Sequence, residues 1–292
     1  MYELIKLSKH DYYIDGSSKI GLIVDDNKNL TVIDTGTGVD TSSKIIEYAN
    51  ENGWKITTVV NTHSHSDHIG GNAYLQEQTG CNILVPGISN SLTVYPILDP
   101  ITLFGGFPLK DYSSKFFLAK PSNAKMLTED NIPKNLTAVD LSGHTMEMVG
   151  FMTADNNFFA ADTVLSEKIL NKHKISYLYD IAGHLRSIEK LKSIKANKYI
   201  PSHAEVTDNI LPLADKNIAV TNEVADTILN LCKKPATFDS VMKSACDIFD
   251  IHLNAVQYAL IGSTVRSYLS YLYNKDCLEI SYENNQMTWH KK

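Results

Sequence analysis

Ile56-Thr57-Thr58-Val59-Val60-Asn61-Thr62-His63-Ser64-His65-Ser66-Asp67-His68-Ile69-Gly70-Gly71 passes from a β-branched run straight into three histidines and an aspartate. Ile56–Val60 has the composition of a strand buried on both faces. Gly70-Gly71 then turns the chain into a helix through Tyr74, Leu75 and Gln78. Imidazole nitrogen keeps a free lone pair at neutral pH and the aspartate adds an anionic oxygen, a donor set suited to Zn²⁺. Packed into one tight loop, these four side chains can converge on a small volume. Chance gives the His63-x-His65-x-Asp67-His68 pattern on the order of once in a thousand sequences of this composition, which disfavours a merely polar loop.

Outward from this segment the chain alternates strands and helices. Upstream, Tyr2–Leu7, Lys19–Val24 and Leu30–Ile33 read as strands, the last two joined by an Asp26-Asn27-Lys28-Asn29 turn. Thr35-Gly36-Thr37-Gly38 breaks the pattern. A helix follows from Asp40-Thr41-Ser42, with Ile45, Ile46 and Ala49 on one face, and ends near Asn52-Gly53. Downstream, Asn82–Val85 is a further buried strand closed by Pro86-Gly87. Between Ser89 and Lys125 the pattern is irregular, with five Pro or Gly breaks and the apolar residues Leu103, Phe104, Phe107, Phe116, Phe117 and Leu118. A loop of that length inside a compact domain reads as a lid or a dimer contact. The strand rhythm resumes at Leu136–Leu141, Met148–Thr153 and Asn157–Ala160. After Ser187 a Lys-rich helix leads to Tyr199-Ile200.

Three of these strands run into further candidate ligands: His144 in Ser142-Gly143-His144-Thr145, Asp162 in Ala160-Ala161-Asp162-Thr163, and His203 in Pro201-Ser202-His203. Side chains at the ends of buried strands converge on one edge of an α/β sheet, where sites form. Five of the ten histidines sit at such strand ends. His184 falls on a helix and reads as structural, and His10, His252 and His290 carry no spacing signal.

The last eighty residues change character. Ala219–Cys232, Asp239–Phe249 and Asn254–Tyr273 read as helices, and Leu278–Tyr282 with Gln286–His290 as a hairpin, the order of a winged-helix module. The expected organisation is therefore a catalytic domain over residues 1–212, with 89–125 as lid or interface, and a small helical domain over 213–292.

Composition narrows the function. The 292 residues carry 27 Lys and Arg against 33 Asp and Glu, a net charge of −6. That sign disfavours nucleic acid as a partner. The tail, the best argument for RNA, holds eight basic and eight acidic residues between Lys216 and Lys292, too neutral for tight phosphate binding. No run approaches the roughly 18 apolar residues of a membrane span, and the N-terminus does not read as a signal peptide. Cys81, Cys232, Cys246 and Cys277 form no C-x-x-C pair and read as reduced thiols in a cytoplasm.

These stations, in this order, resemble the metallo-β-lactamase superfamily, whose T-H-x-H-x-D-H loop is found here as Thr62–His68. The resemblance spans roughly residues 1–210 and includes Val32-Ile33-Asp34-Thr35-Gly36. It implies an αββα four-layer α/β sandwich with two divalent metal ions, zinc first, manganese or iron as alternatives. Carried over residue by residue, His63, His65 and His144 would hold one ion, Asp67, His68 and His203 the other, and Asp162 would bridge them. Two cations some 3.5–4 Å apart bring the pKa of a shared water toward neutrality and supply hydroxide for attack on a carbonyl or phosphoryl group. Asp67 would accept a hydrogen bond from that hydroxide and pass a proton to the leaving group. Asp34 would orient a ligand or cap its own turn. His173, Tyr177 and Tyr179 fall where relatives contact substrate.

Several departures from the family pattern bear on substrate. Met146-Glu147 stands where thiolesterase-like members have Pro-Gly, Ala161 where Gly is usual, and Ala204 follows His203. A histidine rather than glutamate at position 65 argues against flavodiiron chemistry. The missing second-site cysteine argues against antibiotic hydrolysis. The leading expectation is hydrolysis of a carboxyl ester, thioester or related small molecule. RNA or nucleotide phosphodiester cleavage follows, then a mononuclear iron sulfur dioxygenase, and last a metal-holding DNA sensor.

Overall fold

The computed structural model describes residues 2–114 and 117–292. Phe116, one of the aromatics of the long loop, lies outside the described residues. In chain order the elements are β1 (Glu3–Lys6), β2 (Asp11–Asp15), β3 (Ile20–Val24), β4 (Asn29–Ile33), α1 (Val39–Asn52), β5 (Lys55–Val60), α2 (Ser66–Ile69), α3 (Asn72–Thr79) and β6 (Asn82–Pro86). Next come α4 (Gly87–Val94), α5 (Leu98–Phe104), a 3-10 turn (Lys110–Ser113), β7 (Ala124–Leu127), β8 (Leu136–Asp140), β9 (Val149–Thr153), β10 (Asn157–Leu165), α6 (Glu167–Lys172), α7 (Ile181–Ser193) and β11 (Lys198–His203). The chain ends with α8 (Leu211–Leu231), α9 (Phe238–Ile248), α10 (Ala255–Asn274), β12 (Leu278–Glu283) and β13 (Gln286–Lys291).

The strands form a seven-stranded sheet in the order β1 to β7 and a four-stranded sheet β11-β10-β9-β8. In the first, β1 to β4 pair antiparallel and β4 to β7 parallel; in the second, only β10 and β11 are parallel. Alternation along each strand explains the stacking, because successive side chains point to opposite faces. Leu22, Val32, Val59 and Ile83 face outward, onto Ile45 and Ala49 of α1 and Leu75 of α3. Their neighbours Ile23, Ile33, Val60 and Leu84 face inward and meet Phe151, Phe159 and Ile200 of the second sheet. On the far side Phe158, Ala160 and Val164 pack on Ile188 and Leu191 of α7 and Ala214 of α8. The result is helix, sheet, sheet, helix, the αββα sandwich expected.

A fourth core joins α8, α9, α10 and β12 to Ile175, Leu178 and Ile181, the segment that leads into α7. Helix α8 belongs to both: Ala214 lies on the sandwich core, Val224 and Ile228 on the tail core. Its start at Leu211 precedes the expected Ala219, because Pro212 fits a first helical turn where its missing amide costs nothing. Similarly α7 begins at Ile181 rather than after Ser187.

The stretch 89–125 is more regular than its Pro and Gly content predicts. It holds most of α4, all of α5 and the 3-10 turn, and β7 begins inside it. α4 (Gly-Ile-Ser-Asn-Ser-Leu-Thr-Val) has poor intrinsic helix formers, so tertiary contacts decide it. Leu92 is buried, the Glu147 carboxylate accepts the Ile88 amide at the helix N-terminus, and Ser89 donates to the Glu147 carbonyl. Beyond it, Tyr112 and Phe117 pack on Ala259 of α10, which ties the lid to the tail. Among the described residues no helix is long and apolar enough to cross a membrane. Cys81, Cys232 and Cys246 are buried free thiols.

Candidate metal centre

All seven residues singled out in the sequence come together where β4, β5, β10 and β11 end and the β8–β9 loop crosses them. They fall into two sets, His63, His65, His144 and Asp162, and Asp67, His68 and His203, with one donor atom per residue lying within 4.8 Å of the others in each set. His65 Nδ1 is 3.1 Å from His63 Nε2 and 3.0 Å from His144 Nε2. His203 Nε2 is 3.2 Å from Asp67 and 3.2 Å from Asp162, and His68 Nε2 is 3.2 Å from Asp162. A tetrahedron with metal–nitrogen bonds of about 2.0–2.1 Å has edges of about 3.3 Å, so these spacings match a shared cation at each set.

Hydrogen bonds on the opposite ring nitrogens fix which atom faces the centre. His144 Nδ1 donates to the Tyr177 carbonyl at 3.1 Å and His203 Nδ1 to the Ser17 carbonyl at 2.8 Å. His68 Nδ1 donates to Asp34 at 2.8 Å. The Thr62 hydroxyl donates to Asp34 at 2.8 Å, so its oxygen accepts from His63 Nδ1 at 2.9 Å. Four rings therefore present Nε2 and only His65 presents Nδ1, an orientation that spacing alone does not reveal.

Asp34 does both jobs the sequence leaves open for it. It sits at φ 61°, a turn conformation that aspartate tolerates, and it accepts the Thr62 amide at 2.8 Å as well as the Thr62 hydroxyl and His68. Replacing Asp34 with alanine is expected to leave three buried donors unpaired, costing about 3 kcal/mol of stability and about 10–100-fold in metal affinity. Thermal denaturation and competitive metal titration check this. Unchanged metal affinity would reduce Asp34 to a turn cap.

Asp162 lies within β10 rather than at its end. Ala161 beside it takes φ 51°, and the register against β11 shifts on both sides of Ala161. This bulge turns the Asp162 carboxylate into the centre.

The electrostatics call for positive charge. Asp162 Oδ1 and His68 Nε2 are buried without a hydrogen-bond partner. Against the penalty of burial, His203 and His68 hold Asp162 well below the usual carboxylate range, and His68 and His203 do the same for Asp67. In return, and again against burial, Asp162 and Asp67 raise His68 well above its ordinary value and His203 to about 10. Burial and neighbouring imidazoles keep His63 neutral and lower His144 to about 3. The unprotonated rings of His63 and His144 and two ionised carboxylates make a donor set that fits divalent cations, whose binding would displace the protons that Asp162 and Asp67 hold on His68 and His203.

The centre opens into a cleft of about 390 Å³ lined also by Ser17, Asp99, Leu103, Phe117, Tyr177 and Leu260. Tyr177 packs edge-on against His65 and His144, with ring centroids 5.3 and 5.7 Å away. Tyr179 reaches an adjoining pocket, whereas His173 lines neither. His184 is buried, its Nδ1 has no partner, and burial lowers it to about 4, so it remains a neutral packing residue. Asp99 and Leu260 carry no motif and were not singled out in the sequence.

An αββα sandwich with paired His/Asp sets at one edge defines a class of metal-binding α/β proteins. The sequence profile of the metallo-β-lactamase superfamily matches residues 13–203, and the chain belongs to that superfamily. Curated relatives include hydroxyacylglutathione hydrolases of Rhizobium etli (30% identical over 149 residues, 48% of this chain and 49% of the relative) and Methylococcus capsulatus (26% over 216 residues, 71% of each). The match with the first of these spans about half its length. A metallo-β-lactamase family protein from Thermus thermophilus superposes with a TM-score of 0.73 at 15% identity, covering 100% of this chain and 98% of its own. A β-lactamase domain protein from Burkholderia ambifaria gives 0.72 at 16%, covering 100% and 91%. These structures share the fold.

Proposed function

We propose that this chain is a divalent-metal-dependent hydrolase of a carboxyl ester, thioester or related small substrate. One observation carries the reading: at the floor of a largely apolar cleft the Asp162 carboxylate lies 3.4 Å from His144 of one His/Asp set and 3.2 Å from His68 and His203 of the other. His63, His65 and His144 would hold one ion and Asp67, His68 and His203 a second, with the Asp162 carboxylate beside both sets. When bound, divalent metal supplies Lewis-acid polarisation of the scissile carbonyl and makes water acidic enough to lose a proton near neutral pH. Asp67 is the catalytic carboxylate. Its side chain is 35% exposed to the cleft while one oxygen pairs with His203, which leaves the other to take a proton from the attacking water and deliver it to the leaving group. The Tyr177 ring borders the acyl portion, and Leu103, Phe117 and Leu260 exclude water around it. Residues 1–212 form the catalytic domain, and residues 213–292 close one wall of the cleft through Leu260. The free thiols favour a reducing, cytoplasm-like compartment.

The test is elemental analysis of protein purified without added metal, followed by a screen of esters, thioesters, lactones and phosphodiesters. Two zinc or manganese ions per chain with chelator-sensitive ester or thioester turnover is the expected result. Selective phosphodiester cleavage, or one iron with oxygen consumption on persulfides, would replace this reading.

A further inference from the structure

Asp99 stands apart from the metal cluster. It lies in the first turn of α5, partly buried, and borders both the cleft and the smaller adjoining pocket that holds Thr145 and Tyr179. The backbone of its turn is anchored, since its amide donates to the Pro96 carbonyl and its carbonyl accepts from the Thr102 hydroxyl. Its carboxylate forms no hydrogen bond or ion pair among the described residues. His65 and Tyr177 line the same cleft and pocket beside it. No described Lys or Arg lines the cleft or that pocket, and Leu103, Phe117 and Leu260 supply the rest of the wall.

A carboxylate sunk in an apolar wall loses hydration and gains nothing in return unless a ligand supplies the missing charge. The lining offers Asp99 no basic side chain, so the partner that would pair with it is a cationic group on the substrate. A substrate bearing a second carboxylate or a phosphate would meet Asp99 with like charge and find no basic partner. We propose that Asp99 is the specificity-determining residue of the cleft, selecting substrates whose apolar acyl portion carries an ammonium group. This rests on the ester-hydrolase reading above and narrows it away from anionic thioesters and phosphodiesters.

The test uses metal-loaded protein and a probe that has no lone pair to offer a metal, hexyltrimethylammonium, against 1-hexanol as its neutral counterpart. Wild-type protein is expected to bind the cation about tenfold or more tighter than the alcohol, as a charged contact supplies. Asp99→Asn should erase that preference while metal content and hexanol binding stay as in wild type, and Asp99→Glu should restore part of it. Equal binding of both probes by wild type, or an undiminished preference in Asp99→Asn, would overturn the proposal. A cation preference in a protein that hydrolyses no ester would instead uphold the subsite and remove the hydrolase reading.

Discussion

Asp162→Ala is expected to lower kcat/KM by about 10³-fold or more and to reduce bound metal to less than half of the wild-type content. The reason is geometric. Among the described residues Asp162 is the one whose carboxylate contacts both sets, with His68 and His203 at 3.2 Å and His144 at 3.4 Å. Removing it takes one anionic donor from each side and leaves three imidazoles facing one another with less negative charge to draw cations in. Asp162→Asn separates the two contributions, since it keeps the shape of the side chain and removes only the charge. It should lose metal nearly as completely as alanine if charge dominates. Steady-state kinetics with elemental analysis of each purified variant read both quantities. Normal metal loading with full activity in Asp162→Ala would remove this residue from the centre and the proposed chemistry with it.

The second large effect concerns a residue that touches no metal. Gly143 precedes His144 at φ 133°, and an added Cβ would lie 2.1 Å from the His184 backbone nitrogen and 2.5 Å from its Cα. Those atoms belong to the first turn of α7, so the obstacle is backbone rather than a side chain that can swing away. The Gly143 carbonyl also accepts the amides of Tyr179 and Asp180, which locks this loop to the segment carrying Tyr177. Gly143→Ala is therefore expected to cost about 3–5 kcal/mol, through backbone strain and displacement of α7. At this chain length that lowers Tm by roughly 10 °C. The His144 imidazole moves with the loop, so activity should fall about 100-fold even in the folded fraction. Gly80→Ala is the control: it is also left-handed, at φ 68°, but an added Cβ meets nothing within 4 Å. It should cost only about 1 kcal/mol and leave activity intact. A Gly143→Ala protein with wild-type Tm and turnover would mean that the loop and α7 are not locked together.

Residues 89–125 show how far pattern reading extends. Pro96, Pro100 and Gly105-Gly106 punctuate residues 89–125 so densely that local propensity predicts irregular chain. The helices between them are short and hold because Glu147 satisfies an α4 amide and because Tyr112 and Phe117 find α10 to pack against. Neither partner is near in sequence, so no window over the lid contains the cause of its structure. β2, with aspartate at both ends of Asp11–Asp15, escapes notice for a similar reason: Asp11 is buried and accepts from Thr153 and Asn157, far along the chain.

The sequence by itself marked the buried strands of an α/β domain and the seven candidate ligands, and its resemblance to the metallo-β-lactamase superfamily implied the sandwich layers. Strand burial is written as short apolar, β-branched runs such as Ile56–Val60, and every ligand except Asp162, which lies within β10, follows or ends a strand. Both signals are local, carried by residues within one element. Only the tertiary structure decided which ring nitrogen each histidine turns inward, that Asp34 supports His68 and Thr62 together, and that the Ala161 bulge aims Asp162. It also decided the cleft. Asp99, Phe117, Tyr177 and Leu260 come from separate stretches of the chain and meet because the tail core and the lid pack against each other. Such convergence is set by the packing of whole elements, which leaves no short-range trace in the order of the amino acids.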